Sequence, residues 1–444
     1  MSLASNADPA APTRPPPSFS LRWTVLVLVS VAMFGNYYAY DAMGPLADTL
    51  QRQLGFTETQ IGLLNAIYSF PNIVMVVVGG IIVDRVGTRL ATLMFAGICL
   101  VGALVTACSP SLYVMATGRL IFGIGAESMI VSVTTALGQW FVGRALGFAF
   151  GMNLSIARGG SYAADVSPSW AKSFYARGWQ PPLWLAAGFA AVAFAASAAY
   201  FILERHAEKR FDLARPAPPD KIVWSDLWRF DKSYWYVVAL CVTFYSVIFP
   251  FRSTFAIEYF QHAHGLSLED AGTMNGYVFL AAIFATPAFG LLVDKVGHRA
   301  LFMAGGTFLL FAVFPILGYT HSTLWTSTAM IGISFSLVPA VMWPAVPYLV
   351  APTRLGTAYG LMTMVQAVGL TVVNLGAGWL NDASHAGAAN PSGYLPMLWM
   401  FGLLSLFGFV FAALLRQREV GPDGHDLERP VPRAKTHAVV VATD

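Results

Sequence analysis

Two ionisable side chains stand inside runs that are otherwise almost wholly apolar: Glu127, in Gly123-Ile-Gly125-Ala-Glu127-Ser128, and Arg158, in Gly151-Met-Asn153-Leu-Ser155-Ile-Ala-Arg158-Gly159-Gly160-Ser161. Charged groups in such runs are costly, and they face a bundle interior where they pair, bind ions or meet a solute. Arg119, Gly123 and Glu127 follow i, i+4, i+8 spacing and stack along one helix face, while Gly151, Ser155 and Arg158 share another, with small residues beside the arginine that leave room for a ligand. A carboxylate that accepts from an ammonium and a guanidinium that forks onto a carboxylate make the two ends of a site for a zwitterion. The alternative is that the two neutralise each other as a structural ion pair, which desolvation makes poor glue.

Polar and aromatic residues fall on faces that suit the same cavity. Tyr37 and Asp41 share one, Asn65, Tyr68 and Asn72 another, and Tyr245, Phe249 and Arg252 a third, with Pro250 supplying a bend. Trp343, between Pro339 and Pro344, and Gln366 complete the substrate-facing set, in which Arg252 is an added cation able to recruit an acidic group. For each aromatic the alternative is packing or a headgroup-level belt, and Tyr245 is the strongest cavity candidate. Asp41 reads as a solvated or gate-pairing carboxylate, and Asp165, shortly before Pro168, as a helix-end residue.

The elements that must position these groups follow from composition. Of 444 residues 56% are hydrophobic and 11% charged, against about 25% charged in a soluble domain. Apolar stretches of about 20 residues, enough to cross a bilayer as helix, predict twelve spans at 23–43, 59–83, 90–108, 111–136, 145–168, 182–203, 233–258, 270–292, 300–319, 323–348, 355–381 and 394–415. The predicted class is an all-α polytopic membrane protein of two six-helix halves, 23–203 and 233–416. They are flanked by disordered tails at 1–22 and 417–444 and joined by a basic, Pro-containing linker at 204–232.

Of the 26 Lys and Arg, only Arg52, Lys172 and Arg177 fall on the face away from the termini, and Arg119, Arg158 and Arg252 fall within spans. The positive-inside rule then puts both termini in the cytoplasm. The polar N-terminal stretch lacks the charged start, apolar core and cleavage site of a signal peptide. Cys99, Cys108 and Cys241 lie in apolar stretches and imply no disulfide framework. The basic residues are dispersed over loops, which argues against nucleic acid, and the predicted partners are a small solute and the lipid bilayer. No metal-ligand cluster, nucleophile elbow or phosphate loop is present, so neither an enzyme nor a cofactor is expected.

An internal repeat supports the two halves. Gly80-Ile-Ile-Val-Asp84-Arg85-Val-Gly87-Thr-Arg89 recurs as Gly290-Leu-Leu-Val-Asp294-Lys295-Val-Gly297-His-Arg299, six spans later. Both copies resemble the cytoplasmic loop motif of the major facilitator superfamily, and Gly118-Arg119 resembles the membrane-embedded arginine of its fourth helix. The resemblance implies an alternating-access carrier in which these loops gate one face, with Arg119 either anchoring neighbouring carbonyls or acting in gating.

Gly118-Arg119-Leu-Ile-Phe122-Gly123-Ile-Gly125-Ala-Glu127-Ser128, Leu154-Ser155-Ile-Ala157-Arg158, Phe249-Pro250-Phe251, Trp343-Pro344 and Leu355-Gly356-Thr357-Ala358-Tyr359-Gly360 further resemble the lysosomal dipeptide uniporter branch. That likeness implies that Glu127 holds the amino end and Arg158 the carboxyl end of a dipeptide. Two departures stand out: the N-terminal stretch has no acidic dileucine sorting signal, which favours a bacterial-type inner membrane, and Arg252 follows the Phe-Pro-Phe run. The expected activity is transport of small zwitterions, dipeptides first, by facilitated diffusion or with proton coupling. The alternatives are an organic-anion carrier built on Arg158 and Arg252, and a carrier-fold receptor or scaffold.

Overall fold

Helices broken at Gly and Pro account for nearly all of the described chain. The computed structural model describes residues 17–141, 145–211, 230–320, 324–351, 354–422 and 424–430. In the first half, α1 (Phe19–Asp41) and α2 (Ala47–Leu54) are joined through a 3₁₀ turn at Gly44–Leu46, and α3 (Glu58–Ser69) continues into α4 (Asn72–Val86). There follow α5 (Thr88–Cys108), α6 (Leu112–Phe141), α7 (Leu146–Asp165), the short α8 (Ser167–Trp170) and α9 (Lys172–Tyr175), and α10 (Gln180–Arg210). The second half holds α11 (Lys232–Phe249), a π-helical turn at Pro250–Phe255, α12 (Ala256–His264), α13 (Leu268–Val296), α14 (Arg299–Tyr319), α15 (Leu324–Leu349), α16 (Leu355–Ala383) and α17 (Leu395–Val420).

Among the described residues, 11 helical runs are long and apolar enough to cross a membrane. The twelfth expected span is α7, whose 20 residues suffice at a rise of about 1.5 Å each. It carries Asn153, Arg158 and Asp165 because it packs between α1 and α13 in the bundle.

The breaks have local causes. Thr57 and Gln60 form a reciprocal capping box that starts α3. Pro250 has no N–H for the helical ladder, and the chain passes it in a π-helical turn whose residues, Arg252 among them, are all buried.

The side where α1 begins and α17 ends is here the terminal face, and the other the distal face. Toward the distal face the halves touch backbone to backbone. A Cβ added at Gly62 would strike the Asn374 carbonyl, one at Gly378 the Glu58 carbonyl, and one at Gly272 the Asp165 carbonyl. Toward the terminal face, Gly80 and Gly290 have no neighbouring atom within 4 Å in the direction of a Cβ. The halves therefore meet tightly on the distal side, while Gly80 and Gly290 stand clear of any neighbour.

The helical ends depart from the expected boundaries. Helix α1 starts inside the expected N-tail, with Ser18 as its N-cap and Arg22 Nη2 donating to the Pro17 carbonyl at 2.7 Å. Helix α10 runs to Arg210, into the expected linker, of which 212–229 lies outside the described residues. The expectation of disorder from 417 is corrected as far as residue 430. Leu427 is fully buried, and the Glu428 carbonyl accepts from the His298 N–H at 2.9 Å. Residues 1–16 and 431–444 lie outside the described set.

Candidate substrate cavity and its gates

Between the halves lies a cavity lined by Asn36, Tyr37, Tyr40, Tyr68, Asn72, Glu127, Ile130, Phe249, Gln366 and Leu370. Helices α1, α3, α4 and α6 supply one wall, and α11 and α16 the other. Glu127, Tyr37, Tyr68, Asn72 and Gln366 were expected from sequence and all line it. Asn36 was not foreseen. It and Asn72 each present a buried side-chain oxygen without a hydrogen-bond partner, leaving acceptors for a solute's N–H groups.

Glu127 is half-buried and makes no ion pair with Arg158. Arg158 turns across the boundary between the halves, and its Nη1 donates to the Ala282 carbonyl at 2.8 Å and to Thr286 Oγ1 at 2.6 Å, both on α13. The guanidinium lies over the Phe335 ring at 5.4 Å. The two charges are thus not spent on each other.

Tyr245 and Trp343 form an aromatic wall behind Phe249. Trp343 Nε1 donates to the Tyr245 hydroxyl at 2.8 Å, Tyr245 stacks on Phe249 with centroids 5.6 Å apart, and the Tyr359 hydroxyl donates to the Trp343 carbonyl. Neither Tyr245 nor Trp343 lines the cavity itself.

Arg252, expected to face substrate, is 1% exposed and pairs with two carboxylates of the other half. Its Nη1 lies 3.1 Å from Asp41 Oδ1 and its Nη2 2.6 Å from Asp165 Oδ2, with the Phe279 ring 3.6 Å from the guanidinium carbon. Arg252 therefore sits in a buried contact between the halves on the distal side, together with Asp165, which does end α7 as expected. Asp41 fits its gate-pairing alternative. A signal was present in the sequence, since one cation and two carboxylates stand near the same ends of different spans.

Arg119 belongs to the same seal. Its Nε and Nη1 reach the Leu64 and Ala39 carbonyls at 3.3 and 3.4 Å, and Nη2 donates to Asn65 Oδ1 at 2.7 Å. Asn65 Nδ2 in turn donates to Thr254 Oγ1, which donates to Asn374 Oδ1, both at 2.8 Å. Arg119 thus anchors carbonyls of its own half and reaches the other half through two polar side chains.

At the terminal face the two loop copies differ. In the first, Asp84, Arg85 and Gly87 are exposed, Gly87 has φ of 81°, and Arg89 pairs with Glu208 at the end of α10. In the second, Asp294 and Lys295 are exposed, but Gly297 (φ 75°) and Arg299 are buried under residues 427–430. Arg299 bonds Asp294 at 2.9 Å and the Leu427 and Arg429 carbonyls.

Two bundles of six spans around a central polar cavity, with duplicated loops on one face, define a membrane carrier. The family model "Major Facilitator Superfamily" matches residues 29–373 and 251–442, and the chain belongs to that superfamily of multi-pass integral membrane transporters. It is 30% identical over 397 residues to the human "Lysosomal dipeptide transporter MFSD1", covering 85% of each chain. It is 23% identical over 373 residues to the "Probable sulfoacetate transporter SauU" of Cupriavidus necator, covering 77% of this chain and 83% of that one. Among solved structures, a mutant of the nucleoside transporter NupG superposes with a TM-score of 0.71 at 12% identity, covering 89% of this chain and 99% of that one, which is likeness of fold. These relatives are transporters, not enzymes.

Proposed function

We propose that this transporter carries small zwitterionic solutes, dipeptides foremost, with Glu127 meeting the amino end and Arg158 the carboxyl end. The observation that carries the reading is the separation of these two charges. Glu127 faces the cavity, while Arg158 is held by the neutral Ala282 carbonyl and Thr286 hydroxyl, which a carboxylate can replace. Recognition of the backbone ends leaves the side chains to the aromatic wall of Tyr37, Tyr68 and Phe249, with Tyr245 and Trp343 behind it. The likeness to relatives named as dipeptide transporters supports the same reading.

The carrier works by alternating access, in which Asp84, Arg85, Asp294 and Lys295 engage the opposite half when the terminal face closes. The Lys and Arg bias supports both termini in the cytoplasm, and reporter fusions at each end read that orientation directly. Thermal shift of purified protein with dipeptides, free amino acids and dicarboxylates is the test of substrate. Stabilisation by dipeptides, lost in Glu127→Gln, sustains the reading.

A second reading, an organic-anion carrier, is favoured by one observation: Arg158, buried between the halves though outside the cavity lining, has no carboxylate paired to it among the described residues. The relative named for sulfoacetate fits it. Stabilisation by dicarboxylates that survives Glu127→Gln selects this reading over the first.

A further inference from the structure

At the distal face, outside the substrate cavity, the closed halves bring together a second group of ionisable side chains. Asp48 on α2 and Glu58 on α3 come from the first half, and Glu258 and His262 on α12 with Tyr394 before α17 from the second. Glu58 is 4% and Glu258 1% exposed, and both carboxyls adjoin the same His262–Tyr394 pair, Glu58 Oε1 lying 3.2 Å from the Tyr394 hydroxyl and Glu258 Oε1 3.6 Å from His262 Nδ1. Among the described residues neither Glu258 oxygen has a hydrogen-bond partner, and the basic side chain beside it is His262. Two carboxylates buried side by side around one imidazole and one phenol are costly to keep both ionised, and such a pair favours retaining a proton.

Access to that proton is laid out in the same group. Asp48 Oδ1 lies 3.0 Å from His262 Nε2, His262 Nδ1 lies 2.7 Å from the Tyr394 hydroxyl, and that hydroxyl lies 3.2 Å from Glu58 Oε1. The chain has two proton arrangements. In one, an imidazolium donates from Nδ1 to the Tyr394 oxygen, and the Tyr394 O–H donates to the Glu58 carboxylate. In the other, the Nδ1–H bond has broken, the tyrosine has accepted that proton and passed its own on, and a Glu58 O–H has formed beside a neutral imidazole. The outer end is Asp48, paired at 2.8 Å with Arg52, whose side chain is 68% exposed.

Other charged groups on the packed elements are occupied elsewhere. Arg252 of the π-helical turn is held by Asp41 and Asp165, Lys172 of α9 pairs with Glu269 of α13, and Asp270 of α13 is bonded to Ser267. Asp382 of α16 accepts from the Glu58 and Thr59 N–H groups, and Asn381 Nδ2 donates to Glu58 Oε2 at 3.3 Å. Gln51 of α2 lies beside Glu258 with its Nε2 unpartnered, and His264 lies one turn further on, with its Nε2 likewise unpartnered.

We propose that Glu58 and Glu258 form a proton-binding site, filled from the distal side through His262 and Tyr394, whose occupancy holds the distal gate closed. The site exists only while the halves touch, since its members come from both. Protonated, the pair shares a hydrogen bond across the boundary. As pH rises the proton leaves, the two carboxylates repel, and the distal-open state gains. Acid on the distal side thus favours the state that opens at the terminal face, independently of which solute the cavity takes.

The test needs no substrate. Spin labels at Ser173 and Ser392, on distal segments of the two halves, are placed on the full-length chain in nanodiscs with Cys108 replaced, and their distance distribution is read from about pH 5 to about pH 8, bracketing carboxyl and imidazole titration. The parent is expected to shift from the short toward the long distance as pH rises, by up to about tenfold in population ratio per pH unit, the limit for one proton. Glu258→Gln, which mimics the protonated form, is expected to hold the short distance throughout, and Glu58→Gln serves as a second variant of the same kind. A parent that does not respond to pH, or a response kept in both Gln variants and lost in His262→Gln, would overturn the proposal.

Discussion

Arg252 and Asp165 stand 2.6 Å apart, Nη2 to Oδ2, across the boundary between the two halves, with both side chains almost wholly withdrawn from solvent. Asp41 completes the contact from α1. Removing one partner of a buried pair leaves an uncompensated charge, at a cost of about 3–5 kcal/mol. Because this contact exists only with the distal gate closed, Asp165→Asn is expected to weaken that state selectively. A cysteine placed near Gly272 should become accessible to a charged thiol reagent added from the distal side, and the melting temperature should fall. Unchanged accessibility would mean that the lock is not what holds the gate.

The same argument separates Arg252 from the cavity. If it belonged to the substrate site, Arg252→Lys would change solute affinity with the gate intact. The expectation is instead that dipeptide and dicarboxylate affinities measured in protein trapped open at the terminal face stay within about twofold of the parent, since a distant charge contributes less than about 0.5 kcal/mol through a cavity open to water.

Glu127 and Arg158 make different demands on substitution. Glu127→Gln keeps size and hydrogen bonding but loses the charge that meets an ammonium, and it is expected to weaken dipeptide binding by about 1.5–3 kcal/mol, roughly ten- to a hundredfold. Arg158→Lys keeps the charge but loses the fork that spans a carboxylate. It should lower affinity for every solute bearing a carboxylate, dipeptide or not. Isothermal titration with a dipeptide, its C-terminal amide and its N-acetyl form distinguishes the two ends: the amide should be insensitive to Arg158→Lys, and the N-acetyl form to Glu127→Gln.

The fold, and the part of the cavity lining that Tyr37, Tyr68, Asn72, Glu127 and Gln366 supply, were legible in the sequence because both rest on local patterns. Span length, the repeated Gly-Asp-Gly loops and the i, i+4 placement of Glu127 and Tyr68 depend only on neighbours in the chain. The distal seal was not legible in this way. Asp165 and Arg252 are 87 residues apart, and nothing near either one names its partner. Glu58 stands in a short polar break and Glu258 at the last residue of the expected span 233–258, and at either place a carboxylate is ordinary until another is brought near it. The C-terminal segment misled for the opposite reason: its Pro, Gly and charged residues read as a tail, yet Leu427 and the backbone carbonyls beside it find a site on the second loop.

Gly62 sets how closely α3 can approach α16. A Cβ there would overlap the Asn374 carbonyl, and backbone on both sides leaves no flexible group to give way. Gly62→Ala is therefore expected to disfavour the distal-closed state by about 1–3 kcal/mol, the usual cost of overpacking. Gly188→Ala, on the exposed side of α10 where no atom lies within 4 Å, should leave that balance unchanged and serves as the control. The distance between labels at Ser173 and Ser392 reads both.

Glu428 distinguishes the two loop copies. Its Oε1 accepts from the Ala300 N–H at 2.7 Å, placing an anion at the first turn of α14, where the unpaired N–H groups and the helix dipole favour one. Its carbonyl holds the His298 N–H, and the segment gives Arg299 two further carbonyls. Glu428→Ala removes the first contact and is expected to cost about 1 kcal/mol locally, the usual value of a cap. Amide exchange over residues 298–302 should then quicken about fivefold, the factor that corresponds to 1 kcal/mol of local opening. The first copy has Arg89 paired with Glu208, a contact that Glu428 does not touch, so exchange over residues 88–92 should stay as it was. Faster exchange at both loops would point to loosening of the whole terminal face, and no change at either would mean that the segment rests on the second loop without supporting it.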